Sequence, residues 1–299
     1  LLEHSLSLEH TKERQDYLAA VKSQFTLRVT DVAVDVESFT PSACLVMSEP
    51  LVTGMTSRVE DFVRLPDGLD VSLRANGSRI CLSGLVYGQE FKVTVLAGLR
   101  GRDGSRLYQD TTRIVTVPNR EPRINFGNGT YILPRAGDEA IPLKTVNMRS
   151  VLLKLYRVSD RGLVPLLNSG VKSDALHQWS EDRLGNEYGR LVWEGAMDVE
   201  STTNKDVTTL VPVRDLIDDK GPGVYALVAA DPSEEKDRRY RYEHQAQWLL
   251  ISDLGLMTLS GNDGLHVFVH SLENADALRG VTVRLVARDN TILKTLETD

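Results

Sequence analysis

The sequence predicts an all-β protein: tandem antiparallel β-sandwiches behind a short N-terminal helix. Three observations carry this. From Phe25 onward apolar residues recur at every second position in short runs, the period of strands with one face on a core. Polar turns such as PDG and ANGS separate the runs at the spacing of sandwich strands. No self-similarity stands out at a period of roughly 20–50 residues, which sets aside solenoids and propellers. At 299 residues the chain is long enough for about two domains. The strand runs restart to give β-units of about 90–130 residues.

Residues 1–24, LLEHSLSLEHTKERQDYLAAVKSQ, lack Gly and Pro and are rich in helix formers. Leu18 and Val21, with Tyr17, make a short apolar stripe, so a leader helix is expected over roughly 8–22. The first sandwich is expected over 25–119. In FTLRVTDVAVDV, Phe25, Leu27 and Val29 share one face; after Asp31 the pattern resumes with Val32, Val34 and Val36. ACLVMS, VEDFVRL, LDVSLRA, RICL and EFKVTVLAG follow, then a glycine-punctuated hairpin through Gly98, Gly101 and Gly104, and RIVTVP closes the series. Immunoglobulin-like bacterial modules often end this way. VPNREP, residues 117–122, reads as a linker, with proline near both ends and charge between.

A second sandwich is expected over 120–250. Val151, Leu153 and Leu155 alternate with Leu152, Lys154 and Tyr156, a strand apolar on one face and mixed on the other. The stretch after it is irregular: Leu163 to Leu167 and Asp174 to Trp179 read as short helical or irregular insertions. Alternation returns with VTTLVPV, and Gly221-Pro222-Gly223 forces a sharp turn into Val224, Ala226 and Val228. Residues 251–299 begin a third unit. Leu265, Val267 and Val269 alternate with His266, Phe268 and His270, and Val281, Val283, Leu285 and Ala287 repeat the pattern. A two-stranded ribbon is marginal by itself in water, so this tail is expected to be the opening of a truncated sandwich.

The net charge of −7 argues against nucleic acid, whose phosphates need a concentrated basic surface. No apolar run reaches the roughly 18 residues that span a bilayer as a helix. The first apolar residues are broken by Glu3, His4 and Glu9, so no signal peptide is read at Leu1. Cys44 and Cys81 stand in two strands of one domain. In a reducing compartment they are buried thiols; in an oxidising one they pair as a disulfide. That bond would close a loop of about 37 residues and stabilise by about 3–4 kcal/mol on the chain-entropy view.

Candidate chemistry is sparse, and no catalytic, cofactor or metal residue is assigned. His266 and His270 project from one strand face about 13 Å apart, too far to share a metal ion. His4, His10, His177 and His244 show no metal-type spacing. Asp215, Asp218 and Asp219, and the run Asp231 to Glu243, read as solvated hairpin tips. GNDG at 261–264 lacks the alternating ligands of a calcium loop and reads as a turn. RRYRYEH at 238–244 reads as a strand with a salt-bridged outer face rather than a nucleic-acid surface. Asn76-Gly77-Ser78 and Asn128-Gly129-Thr130 fit a glycosylation pattern, although Asn-Gly is itself a preferred turn. No nucleophile elbow, zinc-protease motif, phosphate-binding loop or dinucleotide fingerprint occurs. An alternative reading is a carbohydrate- or peptidoglycan-binding module with Trp179, Trp193, Tyr188 and Tyr225 as stacking platforms, although such rings commonly fill cores. An enzyme with dispersed carboxylates is the weakest reading, because no opposed pair stands out.

Several stretches resemble the amino-terminal half of bacterial alpha-2-macroglobulin-like proteins: ACLVMSEPL, YILPRAGDEAIPLKTVNMRSVLLKLYRV, GPGVYALVAAD, QWLLISDLGL and SGNDGLHVFVHSLENADALRGVTVRLVARDN. The last is similar to the opening of a macroglobulin domain, a strand ending in V-x-S-L, a linker, then G-V-x-V-x-L. The resemblance covers about residues 25–299 and implies macroglobulin-type sandwiches without enzymatic activity. It implies export to the periplasm, with the parent anchored to the inner membrane as a lipoprotein. The implied partners are proteases, periplasmic complex components and a peptidoglycan synthase. Many such proteins trap proteases through a Cys-x-Glu-Gln thioester after a bait segment is cut. Cys44 is followed by Leu45-Val46-Met47 and Cys81 by Leu82-Ser83-Gly84, so neither fits that motif.

Overall fold

The computed structural model describes residues 12, 17, 26–38, 40–52, 54, 58–127, 129–134, 140–217, 221–233 and 243–299. The chain divides into two compact units, Leu1–Arg120 and Glu121–Asp299. The leader helix expected over 8–22 lies outside the described residues except for Lys12 and Tyr17, which are helical.

The first unit holds β1 (Val29–Asp35), β2 (Ser42–Met47), β3 (Val63–Arg64), β4 (Ser72–Asn76), β5 (Arg79–Ser83), β6 (Glu90–Val95) and β7 (Thr111–Thr116). They make a four-stranded sheet in the order β1-β2-β5-β4 and a three-stranded sheet in the order β3-β6-β7, with every pairing antiparallel. Leu45, Ile80 and Leu82 from one sheet meet Val93, Val95 and Val115 from the other in a single core. The change of phase after Asp31 has a physical cause. The β1–β2 register shifts between Val29 and Asp31, and one extra residue in a strand flips the following side chains to the opposite face. Val29 is therefore buried, while Val32 and Val34 still pack on the same core.

The second unit begins with β8 (Arg123–Asn125), β9 (Thr130–Leu133), β10 (Ala140–Val146) and β11 (Ser150–Val158). After β11 come α1 (Asp160–Ser169), β12 (Ala175–His177), α2 (Gln178–Arg183) and a π-helical turn, Leu184–Tyr188. The chain returns through β13 (Gly189–Asp198), β14 (Asp206–Pro212), α3 (Val213–Ile217), β15 (Gly223–Ala230) and β16 (Glu243–Ile251). One sheet runs β14-β10-β8; the larger runs β12-β16-β15-β11-β13, with β9 parallel to β16.

The sequence predicts two layers for this unit, and the structure has three. Val151, Leu153, Leu155, Tyr225 and Leu227 face Ile141, Leu143 and Val211 in the core between the sheets. Tyr156, Ala226, Val228 and Trp248 face the other way, against Leu166, Leu176, Leu184 and Tyr188 of the segment inserted between β11 and β13. Strand β15 is consequently buried on both faces, as its unbroken apolar run requires. Asp215 lies in the short helix α3 rather than at a hairpin tip, and it is exposed. Asp218 and Asp219 lie outside the described residues.

Two hairpins complete the unit: β17 (Leu254–Gly261) with β18 (Gly264–Ser271), and β19 (Thr282–Val286) with β20 (Ile292–Glu297). Each is a separate two-stranded sheet. Their apolar residues flank a groove of about 350 Å³ lined by Leu265, Val267, Val283, Leu285 and Leu296. Leu265 is 53% exposed and Leu296 60%. The turn of the second hairpin touches α1, where Asn290 Nδ2 donates to the Arg161 carbonyl at 2.8 Å.

Candidate functional site

The mixed face of β11 carries a cluster of buried polar groups. Burial of Lys154 and Tyr156 on that face demands partners, because an unpaired polar group away from water is costly. Helix α2 brings Glu181 to them. Tyr156 Oη donates to Glu181 Oε1 at 2.6 Å, and Lys154 Nζ lies 3.5 Å from the same oxygen. The other oxygen pairs with His244 Nδ1 of β16 at 2.6 Å. Glu181 is 6% exposed and His244 9%.

One carboxylate thus ties the inserted layer to two strands of the large sheet. Burial by itself would raise the Glu181 pKa. Hydrogen bonds from His244 and Tyr156, with the charges of His244 and Lys154, outweigh it and hold the carboxyl below its ordinary 4.5. Burial, then the hydrogen bond and charge of Glu181, push the Tyr156 phenol well above its usual value. The acid, the imidazole and the phenol are committed to one another in the core. Both oxygens of Glu181 are spent on groups from β11 and β16, the arrangement of a structural clamp.

The insertion is seated by a close backbone approach as well. Ser159 caps α1: its Oγ accepts from Gly162 N–H at 3.0 Å and donates to the Tyr188 carbonyl at 3.0 Å. A Cβ on Gly162 would stand 1.9 Å from that carbonyl oxygen. Gly162→Ala is therefore expected to destabilise the second unit by about 1–3 kcal/mol, the range of core overpacking. The check is a denaturant midpoint shift, and an unchanged midpoint would show that α1 moves aside freely.

The structure removes the stacking-platform reading for most of its residues. Tyr225 is 0% exposed and Tyr188 4%, because both fill cores; Trp193 is partly buried against the core between the sheets. Trp179 alone of the four is open, at 65%, and the Arg183 guanidinium lies 4.8 Å from its ring centre. Arg183 also reaches the Tyr188 hydroxyl and pairs with Glu187 at 2.8 Å.

The remaining candidates are dispersed. His266 pairs with Asp263 at 2.9 Å, and the His270 ring lies against Gly255. His177 pairs with Glu243 at 3.1 Å on the exposed edge. His4 and His10 lie outside the described residues, as do Arg238 to Tyr242; the salt-bridged strand expected over 238–244 retains Glu243, while His244 points into the core rather than out. No group of three potential metal ligands occurs among the described residues. No described helix is long and apolar enough to cross a membrane. Asn76-Gly77-Ser78 forms the β4–β5 turn, with Gly77 at φ 58°.

In the first unit, Glu49 is pushed up to about 7 by burial and then by the hydrogen bond and charge of Asp103. The Asp103 carboxyl is lowered, first by Glu49 and then by the Ser105 N–H. Folded Glu49 keeps its proton between about 4.5 and about 7 while the unfolded chain has lost it, so this pair's support for the fold declines as pH rises through that window. Glu49→Gln is expected to flatten that part of the melting-temperature profile. An identical slope in the variant would exclude the pair as its source.

Fold and site together define a chain of antiparallel β-sandwich units in which one buried carboxylate ties the inserted layer to the large sheet. Residues 125–249 match the bacterial alpha-2-macroglobulin MG2 domain and residues 251–299 the bacterial alpha-2-macroglobulin MG3 domain. The chain is 25% identical over 194 residues to the alpha-2-macroglobulin of Escherichia coli strain K12, covering 65% of this chain and 11% of that protein. It is 24% identical over 213 residues to the alpha-2-macroglobulin of Xylella fastidiosa strain 9a5c, covering 69% and 13%. Among solved structures, it resembles native E. coli alpha-2-macroglobulin spanning domains MG0-NIE-MG1, with TM-score 0.54 and 22% identity over 94% of this chain and 90% of that one. It also resembles Salmonella alpha-2-macroglobulin reacted with methylamine, with TM-score 0.60 and 21% identity over 94% and 17%. The chain belongs to the bacterial alpha-2-macroglobulin-like proteins. It spans 11–13% of the length of these curated relatives.

Proposed function

We propose that this chain is the amino-terminal stretch of a longer periplasmic macroglobulin-like protein, lipid-anchored at the inner membrane, and acts there as a non-enzymatic scaffold. Its partners are proteins: proteases held by the parent molecule and periplasmic complex components, with a peptidoglycan synthase among the candidates. The observation that carries this reading is the state of residues 251–299. They match a macroglobulin domain, yet they form two separate two-stranded sheets whose apolar residues, Leu265, Leu285 and Leu296 among them, are roughly half exposed. Such ribbons gain independent stability when further strands bury the open face. The saturation of Glu181 supports a structural rather than catalytic use of the chain's polar core.

The test follows the full-length gene product in fractionated cells and in protease assays. Recovery from the periplasm and protection of large protein substrates are expected, without turnover of peptides or glycans. Recovery from the cytosol, or hydrolysis by the pure protein, would overturn the proposal. Direct binding to cell-wall sacculi would favour the glycan-binding alternative.

A further inference from the structure

Cys44 and Cys81 face each other across β2 and β5, register partners in the middle of the four-stranded sheet. Their sulfur atoms lie 2.07 Å apart, at bonding distance. Both side chains are half-buried and lie on the face opposite the core. Their chain neighbours Ala43, Leu45, Ile80 and Leu82 are the buried ones, each at most 1% exposed. The ladder on either side is continuous, from Ser42 opposite Ser83 to Val46 opposite Arg79. The strands are thus held by main-chain hydrogen bonds and a core that do not involve the sulfurs. Beyond Cys81, the next position across the sheet is Arg74 of β4, an exposed residue on the same face. Beyond Cys44 it is Ala33 of β1. The two sulfurs therefore differ in one respect: Cys81 has a cation as its cross-strand neighbour and Cys44 a methyl group.

We propose that Cys44–Cys81 is a thiol–disulfide exchange site on the outer face of the first unit, opened by small-molecule thiols and closed again without unfolding. A thiolate attacks Cys44 Sγ; a new S–S bond forms there while the Cys44–Cys81 bond breaks, and the electron pair leaves on Cys81 Sγ. Arg74 stabilises that departing thiolate, and lower-pKa thiols leave faster. A second thiolate then attacks the sulfur of the bound reagent. The small-molecule disulfide departs, Cys44 is freed, and each cysteine takes up a proton. Two thiols have been oxidised and one protein disulfide reduced. The reverse sequence, with the small-molecule disulfide as oxidant, restores the bond.

The experiment uses the full chain purified under oxidising conditions, with glutathione as the probe. Intact mass with and without alkylation should show both cysteines paired at the start. Under native conditions glutathione should open the bond while circular dichroism stays unchanged, and oxidised glutathione should close it. Peptide mapping of the quenched intermediate should place the mixed disulfide on Cys44. Arg74→Ala should slow opening by about threefold, because the departing Cys81 thiolate loses the cation beside it. Free thiols in the oxidised protein, or opening only at denaturant concentrations that unfold the unit, would overturn the proposal. So would an adduct chiefly on Cys81, or an Arg74→Ala rate equal to that of the parent.

Discussion

Glu181→Ala is expected to destabilise the second unit by about 3–5 kcal/mol, the loss typical when one partner of a buried charged group is deleted. The alanine removes a carboxylate that serves Tyr156, Lys154 and His244 together, and the buried Tyr156 hydroxyl and His244 ring keep their desolvation cost once it is gone. A denaturant titration with the slope held common to parent and variant measures the change. Glu181→Gln should fall between the two: its carbonyl can accept from Tyr156, but it carries no charge for Lys154 and His244. The effect has a defined acid dependence. The folded pKa of Glu181 lies below its ordinary 4.5, so its contribution is fully present above that value. It is lost as pH falls, because the unfolded chain then binds the proton more readily. The parent should therefore lose more stability than Glu181→Ala when both are acidified below about pH 4.5. A shift under about 1 kcal/mol in the alanine variant, with parallel acid profiles, would show that water replaces the carboxylate without penalty.

Trp248→Ala should produce a loss of similar size, about 3–5 kcal/mol, by emptying a large buried site. Trp248 is 1% exposed, and its ring fills the space between the large sheet and the inserted layer, among Leu166, Leu176 and Leu184. Its Nε1 donates to the Ser173 carbonyl at 2.9 Å in the segment between α1 and β12. The substitution removes both the apolar filling and the hydrogen bond that pins that segment. Trp248→Phe separates the two terms, because it restores most of the volume and leaves the carbonyl unpaired. The expected order of midpoints is parent, Phe, Ala. Equal midpoints for parent and alanine would mean that the layer collapses onto the sheet and closes the space.

The two predictions fall on residues of unequal visibility. Trp248 stands in QWLLI, an apolar run with strand character, so its burial is legible from the pattern. Glu181 stands in HQWSEDR, where an acid between other polar residues reads as a solvated face. Only the preceding strand offered a signal: Lys154 and Tyr156 interrupt the apolar pattern on one face of β11. Such a face, when covered, needs polar partners from elsewhere in the chain. His244 was obscured by the basic and aromatic residues before it, which suggested an outer edge.

The sequence by itself determined the period of the strands, the glycine turns, and the resemblance of residues 25–299 to macroglobulin-type sandwiches, because alternation and turn chemistry act over a few neighbouring residues. Tertiary structure alone decided that the irregular stretch after β11 forms a third layer, and that Glu181 meets His244 across 63 positions of chain. It also set Cys44 opposite Cys81 with Arg74 beside it. These juxtapositions follow from strand register and from which face the insertion covers, and both are fixed by packing between segments far apart in the chain.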